Sequence, residues 1–262
     1  MATAPTWDPG QYERYADERS RPFFDLAGRV RADRPARVVD LGCGTGALTA
    51  TLAARWPDAL VEGVDSSPEM IAEAAPREIA GRLRFAVGDV RGWRPAAPVD
   101  VLISNAVLQW VPEHVALLPT WVGALSDGGW LAFQVPGNDR SPSHVLLDEM
   151  RASPRYRDAL AGAASGPRVR EPEEYVALLT GSGCQVDAWE TTYLHVLQGP
   201  DPVLEWVKGT ALRPVLSALA GAERDAFLSE YAARLRQAYP AQPFGTVLPF
   251  RRLFVVARKA GS

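Results

Sequence analysis

The chain has 262 residues, of which 47% are hydrophobic and 23% charged, and its formal net charge is -3 at pH 7. This composition is typical of a globular protein and excludes a disordered chain, a membrane protein and a globally basic nucleic-acid-binding protein. The length fits one large α/β domain with added cap segments. The N-terminal residues are too charged for a signal peptide, so we expect a cytoplasmic protein without membrane or nucleic-acid partners.

Cysteine and histidine positions argue against a metal or thiol site. The two cysteines, Cys43 and Cys184, form no disulfide framework and no metal-ligand spacing. We expect His114 at the exposed start of a helix. His144 and His195 are candidates to bind substrate oxygens, and no metal is expected.

Strand and helix signals alternate from residue 36 to residue 136. The segments are, in order, ARVVDLG, GALTATLAARW, LVEGVD, SPEMIAEAA, LRFAVGD, VDVLISN, PEHVALLPTWVGAL and GWLAFQVP. This alternation predicts a doubly wound, Rossmann-like α/β sheet, mostly parallel, with helices on both faces. Within it, Gly128 and Gly129 are expected to end the helix that Pro112 and Glu113 begin.

The rest of the chain breaks this rhythm and predicts helical cap insertions. A strand, CQVDAWETTYLHVL, precedes about two helical segments between Pro202 and Tyr239, and LPFRRLFVVARK is the final strand. We expect these two strands to form an antiparallel edge pair. One domain is therefore predicted. Its parts are an N-terminal cap segment (1–34), a cofactor-binding core (35–136), cap insertions (137–170 and 198–248) and a returning core (171–197 and 249–262).

The glycine-rich segment VVDLGCGTGALTA joins the first strand to the first helix of this pattern. GCGTGA satisfies the loose dinucleotide pattern G-x-G-x-x-[GA], which alone is a weak signal. Asp40 lies just before Gly42, and a fixed carboxylate there disfavours a phosphate and favours a cation or an ammonium group. Gly44 and Gly46 allow a ligand to lie against the backbone. We therefore expect a ligand without phosphate.

Two further acids end the next two predicted strands. Asp65 can accept hydrogen bonds from two ribose hydroxyls, with Ser66 beside it, although Asp65 could instead cap a helix. Asp89 can bind an adenine amine with Val90 against the ring, although a loop-capping role is equally compatible. Together with Asp40 they describe an adenosine with a positively charged, amino-acid-like tail, which is S-adenosylmethionine.

At this point the sequence resembles the class I methyltransferases. VVDLGCGTG is similar to their first motif, and SNAVLQWVPEH is similar to the segment that follows their fourth strand. The resemblance implies a seven-stranded sheet whose last strand is antiparallel. It also implies that Asn105 and Gln109 lie close to the methionine part of the cofactor, whereas Leu108 and Trp110 could equally be core residues.

Segments outside the glycine loop resemble the trans-aconitate 2-methyltransferases more specifically. The segments are WDPGQYERYADERSRP, SSPEMIAEA, SNAVLQWVPEH, QVPGN, PSHVLLDEM, GTALRPVL and RRLFVVAR. The resemblance implies a monomethyl ester formed on a carboxylate of trans-aconitate, a small tricarboxylate. No catalytic base is expected, because a carboxylic acid is already ionised at neutral pH.

Arginine content supports an anionic acceptor independently. Residues 151–170 contain five arginines and a single acid, Asp158. Guanidinium groups bind carboxylates bidentately, so several are expected around a tricarboxylate. The candidates for substrate binding are Arg21, Trp110, His144, Tyr193, Arg213 and Arg252. Either Arg19 or Arg21 could instead bind the carboxylate of the cofactor.

Three alternatives stay open. The acceptor could be another small-molecule acid or a carrier-bound acyl carboxylate. The glycine loop could belong to a nicotinamide-dependent oxidoreductase, or the protein could be a non-enzymatic binding regulator. No feature of the sequence indicates the oligomeric state.

Overall fold

A computed structural model describes residues 16–163 and 169–261, with side chains from residue 20 onward. The described residues divide into two units. The sheet unit comprises residues 20–137, 169–191 and 252–261, and the cap unit comprises residues 138–163 and 192–251. The predicted domain boundaries stay a prediction.

The sheet confirms the expected fold. Its main path is β3-β2-β1-β4-β5-β8-β6, and β7 pairs with β8 outside that path. The strands are β1 (Arg37–Leu41), β2 (Leu60–Asp65), β3 (Leu83–Val87), β4 (Val99–Asn105), β5 (Leu125–Pro136), β6 (Cys184–Leu197), β7 (Ala241–Gln242) and β8 (Gly245–Lys259). The pairings among β1 to β5 are parallel, whereas β8 runs antiparallel to β5. Strand order reverses at β1, so a crevice is expected at the carboxyl ends of β1 and β4.

Helices connect the strands and fill the cap. Those described are α1 (Ala16–Arg29), α2 (Ala47–Arg55), α3 (Pro68–Ala74), α4 (His114–Gly123), α5 (Pro142–Ala152), α6 (Pro172–Gly181), α7 (Pro202–Lys208), α8 (Arg213–Ala218) and α9 (Gly221–Ala238). Three helices, α7 to α9, therefore stand where about two were expected. The reason is that Pro214 lies in the first turn of α8, where proline favours a new helix start.

The end of α4 differs from the expectation for Gly128 and Gly129. The helix ends at Gly123, and β5 begins at Leu125, which pairs with Val99. The register then shifts, and a Cβ on Gly129 would lie 2.8 Å from the carbonyl oxygen of Ser126. The two glycines therefore serve a β-bulge rather than a helix end.

The expectation that His114 is exposed is wrong. It is only 1% exposed, and its Nδ1 lies 2.8 Å from the carbonyl oxygen of Val111. Its Nε2 lies 2.9 Å from the hydroxyl of Tyr175, which also accepts a bond from the backbone N–H of Arg170. Nδ1 must donate to the carbonyl, so Nε2 accepts from Tyr175. Burial lowers the pKa of His114, which keeps the ring neutral.

Each unit has its own apolar core. The opposite face of the sheet from Asp40 packs through residues such as Leu41, Trp121 and Phe133. In the cap unit, α5, α7 and α9 bury Trp206 and Phe227 among other side chains. No helix in the described ranges is both long enough and apolar enough to span a bilayer.

Candidate functional site

The turn between β1 and α2 depends on its three glycines. Gly42, Gly44 and Gly46 all have positive φ angles, of 80°, 54° and 74°. A Cβ on Gly42 would overlap the side chain of Val107, and one on Gly46 would lie 2.5 Å from the ring of Phe85. A Cβ on Gly44 would meet nothing within 4 Å. The loop is thus held tightly at its ends and open at Gly44, where a ligand can lie against the backbone.

Asp40 lies beneath this loop. It is 2% exposed, and its Oδ2 accepts a hydrogen bond of 2.6 Å from the hydroxyl of Thr49. Burial raises the pKa of Asp40 to about 7, the Thr49 bond opposes that rise, and the charge of Asp65 adds to it. Because the side chain is enclosed, Asp40 can act on a ligand through its electric field rather than by contact.

Asp65 ties the glycine loop to the start of α3. Its Oδ2 accepts from the N–H of Gly44 at 2.9 Å, and its Oδ1 accepts from the N–H of Ser67 at 2.9 Å. Each oxygen retains a further lone pair, so this carboxylate can still accept two hydroxyl bonds. Ser67 is the actual N-cap of α3, accepting from Met70, and Ser66 is exposed.

Asp89 and Val90 follow β3 but face different surroundings. The Oδ1 of Asp89 accepts from both the backbone N–H and the Nε of Arg91, at 2.9 and 3.0 Å. Partial burial acts to raise the pKa of Asp89, but these bonds and the charge of Arg91 outweigh it and lower the pKa. Val90 is 7% exposed and belongs to the apolar core. Asp89 therefore has the loop-capping geometry, and its outer oxygen stays available.

The chain turns sharply after β4. Ala106 has a φ of 56°, which is unusual for a residue other than glycine, and its N–H donates to the carbonyl of Gln134. The Nε2 of Gln109 donates to the carbonyl of Ala106 at 2.6 Å. The Oδ1 of Asn105 and the Oε1 of Gln109 are buried without a hydrogen-bond partner among the described residues. Such strained, unsatisfied groups cluster at ligand sites.

Strand register places polar residues in one row along this edge. Asp40 pairs with Ile103, Asn105 with Gln134, and Pro136 with Arg252. Because alternate residues share a face, Asp40, Asn105, Gln134 and Arg252 all lie on the same face of the sheet. The row runs from acid on β1, through amides on β4 and β5, to a guanidinium on β8.

Gln134 was not predicted from the sequence. It is fully buried at 0% exposure, as the one polar residue in the run from Trp130 to Val135. A glutamine inside an apolar strand is a signal that sequence inspection could have used, because such a side chain needs a polar partner. Here Nη1 of Arg252 lies 3.3 Å from its Oε1.

The remaining substrate candidates fall in both units. Trp110 is 39% exposed, Arg21 is exposed on α1, and Arg252 is 5% exposed, all in the sheet unit. The side chain of Arg19 lies outside the described residues. His144, Tyr193 and Arg213 belong to the cap unit, so their predicted roles stay predictions.

The cap candidates have their own local partners. The Nδ1 of His144 lies 3.0 Å from the hydroxyl of Ser141, and burial lowers the pKa of His144. Tyr193 stacks on His195 with ring centroids 6.2 Å apart. Arg213 begins α8 and is half-buried, which lowers its pKa.

Several arginines of residues 151–170 are paired with acids. Arg155 lies 3.6 Å from Glu230, Arg157 lies 3.6 Å from Asp158, and Arg170 lies 3.3 Å from Glu174. These are surface pairs with a small energetic effect. They reduce the positive charge that arginine content alone predicted for this segment.

Comparisons with known proteins place this geometry. A family model described as a methyltransferase domain matches residues 38–129. Trans-aconitate 2-methyltransferase of Streptomyces avermitilis is 54% identical over 265 residues, covering 98% of this chain and 98% of its own. The protein of that name from Rhodococcus jostii is 51% identical, covering 96% and 99%.

Solved structures show the same fold. Phosphoethanolamine N-methyltransferase 2 of Haemonchus contortus, in complex with S-adenosylhomocysteine, gives a TM-score of 0.55 at 18% identity, covering 90% of this chain and 52% of its own. The plantazolicin methyltransferase BpumL gives a TM-score of 0.53 at 16% identity, covering 96% and 90%. In the part of the chain that the structure describes, no cluster of three His, Cys, Asp or Glu side chains could hold a metal.

Proposed function

Because this chain belongs to the trans-aconitate 2-methyltransferase family, we propose that it transfers a methyl group from S-adenosylmethionine to a carboxylate of trans-aconitate, forming a monomethyl ester. The supporting observation is the polar row at the carboxyl edge of the sheet. Its acidic end suits a sulfonium with an ammonium group, and its guanidinium end suits a carboxylate.

The residues of the sheet unit fit the cofactor. The carboxylate of Asp65 retains lone pairs for ribose hydroxyls, and Gly44 leaves open space beside the backbone. The buried oxygens of Asn105 and Gln109 have no partner in the described residues and match the donors of an ammonium group. When bound, S-adenosylmethionine supplies an electrophilic methyl group on a positively charged sulfur.

Asp40, Asp89 and Val90 complete the proposed cofactor contacts in different ways. Asp40 provides a buried negative field under the glycine loop, on the side of the positive charge. Asp89 offers its second oxygen to the adenine amine, since its Oδ1 is already bonded to Arg91. Val90 supports that region from the core.

The acceptor requires positioning rather than proton removal. Since the ordinary pKa of a carboxylic acid is near ~4, the acceptor is ionised at neutral pH, and no side chain has to act as a base. Holding two reactants in line can contribute about 7 to 11 kcal/mol. Arg252 would quench the nucleophile if it held the reacting oxygen, so we assign it to a carboxylate that does not react. Trp110, partly exposed after β4, is assigned to the wall of the acceptor site.

A labelling experiment tests this function. The protein is incubated with S-adenosylmethionine carrying a labelled methyl group and, separately, with trans-aconitate or a panel of other di- and tricarboxylates. We expect labelled monomethyl trans-aconitate by mass spectrometry. The absence of any ester with trans-aconitate, in a sample that binds the cofactor by calorimetry, would contradict the proposal.

A further inference from the structure

Gln134 has a fixed orientation in the interior of the sheet unit. A guanidinium has only donors, so the amide oxygen of Gln134, and not its nitrogen, must face Nη1 of Arg252 at 3.3 Å. The amide nitrogen Nε2 then points elsewhere, and it is buried with no hydrogen-bond partner among the described residues. Leaving a buried donor unsatisfied is costly, so this group is expected to have a ligand.

The neighbours of Gln134 indicate the chemistry of that ligand. Asn105 lies beside it on β4, and Arg252 lies diagonally across on β8, on the same face. The nearest buried acid of the row, Asp40, is on β1, with β4 between, about 10 Å away by strand spacing. An amide donor next to a guanidinium, remote from acids, matches an anion, and a planar carboxylate fits both donors.

We propose that Gln134 is a specificity-determining residue for the acceptor. Its Nε2 donates to a non-reacting carboxylate of the acceptor, and its Oε1 holds Arg252 in the orientation that binds the same carboxylate. This proposal rests on the proposed function, because that function supplies an acceptor with more than one carboxylate. The cofactor also carries a carboxylate, and the experiment separates the two sources.

Two substitutions divide the roles of the amide. Gln134→Glu keeps an oxygen for Arg252 but replaces the donor with a negative charge. Gln134→Met has a similar length and removes both the donor and the acceptor. Gln198→Met is the matched control, since Gln198 is exposed and bonds only to the carbonyl of Phe244. Affinities for trans-aconitate are measured by calorimetry with S-adenosylhomocysteine present, so that no turnover is needed, and S-adenosylhomocysteine affinity is measured alone.

We expect trans-aconitate affinity to fall about 10- to 100-fold in Gln134→Met and further in Gln134→Glu, with S-adenosylhomocysteine affinity and the control unchanged. The thermal unfolding midpoint of Gln134→Met should not be lowered, because that change removes an unsatisfied donor. A lowered midpoint with normal trans-aconitate affinity would show a purely structural role and overturn the proposal. Loss of S-adenosylhomocysteine affinity alone would also overturn it.

Failure of this proposal is distinguishable from failure of the function. If the wild-type protein binds no trans-aconitate, both are overturned. If the wild type binds and methylates trans-aconitate and both Gln134 variants bind it equally well, the function stands and the role of Gln134 is overturned.

Discussion

The carboxyl edge of the sheet has an acidic half on β1 and β2 and an amide and guanidinium half on β4, β5 and β8. In the acidic half, Asp40 and Asp65 are organised by local bonds to Thr49, Gly44 and Ser67. In the other half, Gln134 and Arg252 are 118 residues apart and meet only through strand register. Local sequence therefore builds the proposed cofactor side, and the fold builds the proposed acceptor side.

The largest expected effect breaks the acidic half at the glycine loop. Gly42→Ala places a methyl group in the side chain of Val107 at a φ of 80°, so we expect a loss of about 3 to 5 kcal/mol in the free energy of unfolding. Gly44→Ala meets no atom within 4 Å and should cost only about 1 to 2 kcal/mol, with its main effect on cofactor binding.

Chemical denaturation of both variants measures this contrast. Equal losses of stability in the two would contradict the account of the loop.

Asp40 offers a second way to test the acidic half. Its pKa is about 7 in the folded protein against 3.8 ordinarily, so the unfolded chain releases this proton first as pH rises. The stability associated with Asp40 is thus complete below about 3.8 and is lost as pH rises through about 7. The loss amounts to roughly 4 kcal/mol at most.

Asp40→Asn should remove that pH dependence and weaken S-adenosylmethionine binding, because the buried negative charge is gone. Denaturant unfolding at pH 4 and pH 8 measures the change. Identical pH profiles of stability in the wild type and the variant would show that Asp40 is not the titrating group.

How far the sequence predicts this molecule follows from the same contrast. Strand, glycine turn and acid occur within a few residues, so the doubly wound sheet and the positions of Asp40 and Asp65 could be predicted from local patterns. Gln134 could not, since its partners are on other strands. The positive φ of Ala106 has no signature in composition, because tertiary contacts impose it.

Asp65 and Arg252 allow the two halves to be weakened separately. Asp65→Asn should lower S-adenosylmethionine affinity by roughly 1.5 to 3 kcal/mol, because a charged acceptor of hydroxyl bonds is lost. Arg252→Ala should raise KM for trans-aconitate by a similar free energy while leaving cofactor affinity unchanged. Calorimetry and steady-state kinetics measure both. Cofactor affinity undiminished in Asp65→Asn would contradict the ribose assignment.

The smallest effect is expected outside both halves. Arg155 pairs with Glu230 at 3.6 Å on the cap surface, where such pairs contribute about 0 to 1 kcal/mol. Arg155→Ala should therefore change neither stability beyond that range nor KM for trans-aconitate. A raised KM in this variant would show that arginines of residues 151–170 contribute to acceptor binding.

A crystal structure with S-adenosylhomocysteine and trans-aconitate tests the central claim most directly. The account predicts ribose hydroxyls on Asp65 and one acceptor carboxylate bonded to both Nε2 of Gln134 and the guanidinium of Arg252. Trans-aconitate bound with no carboxylate at Gln134 or Arg252, or an adenosine placed on the β5 and β8 side, would contradict it.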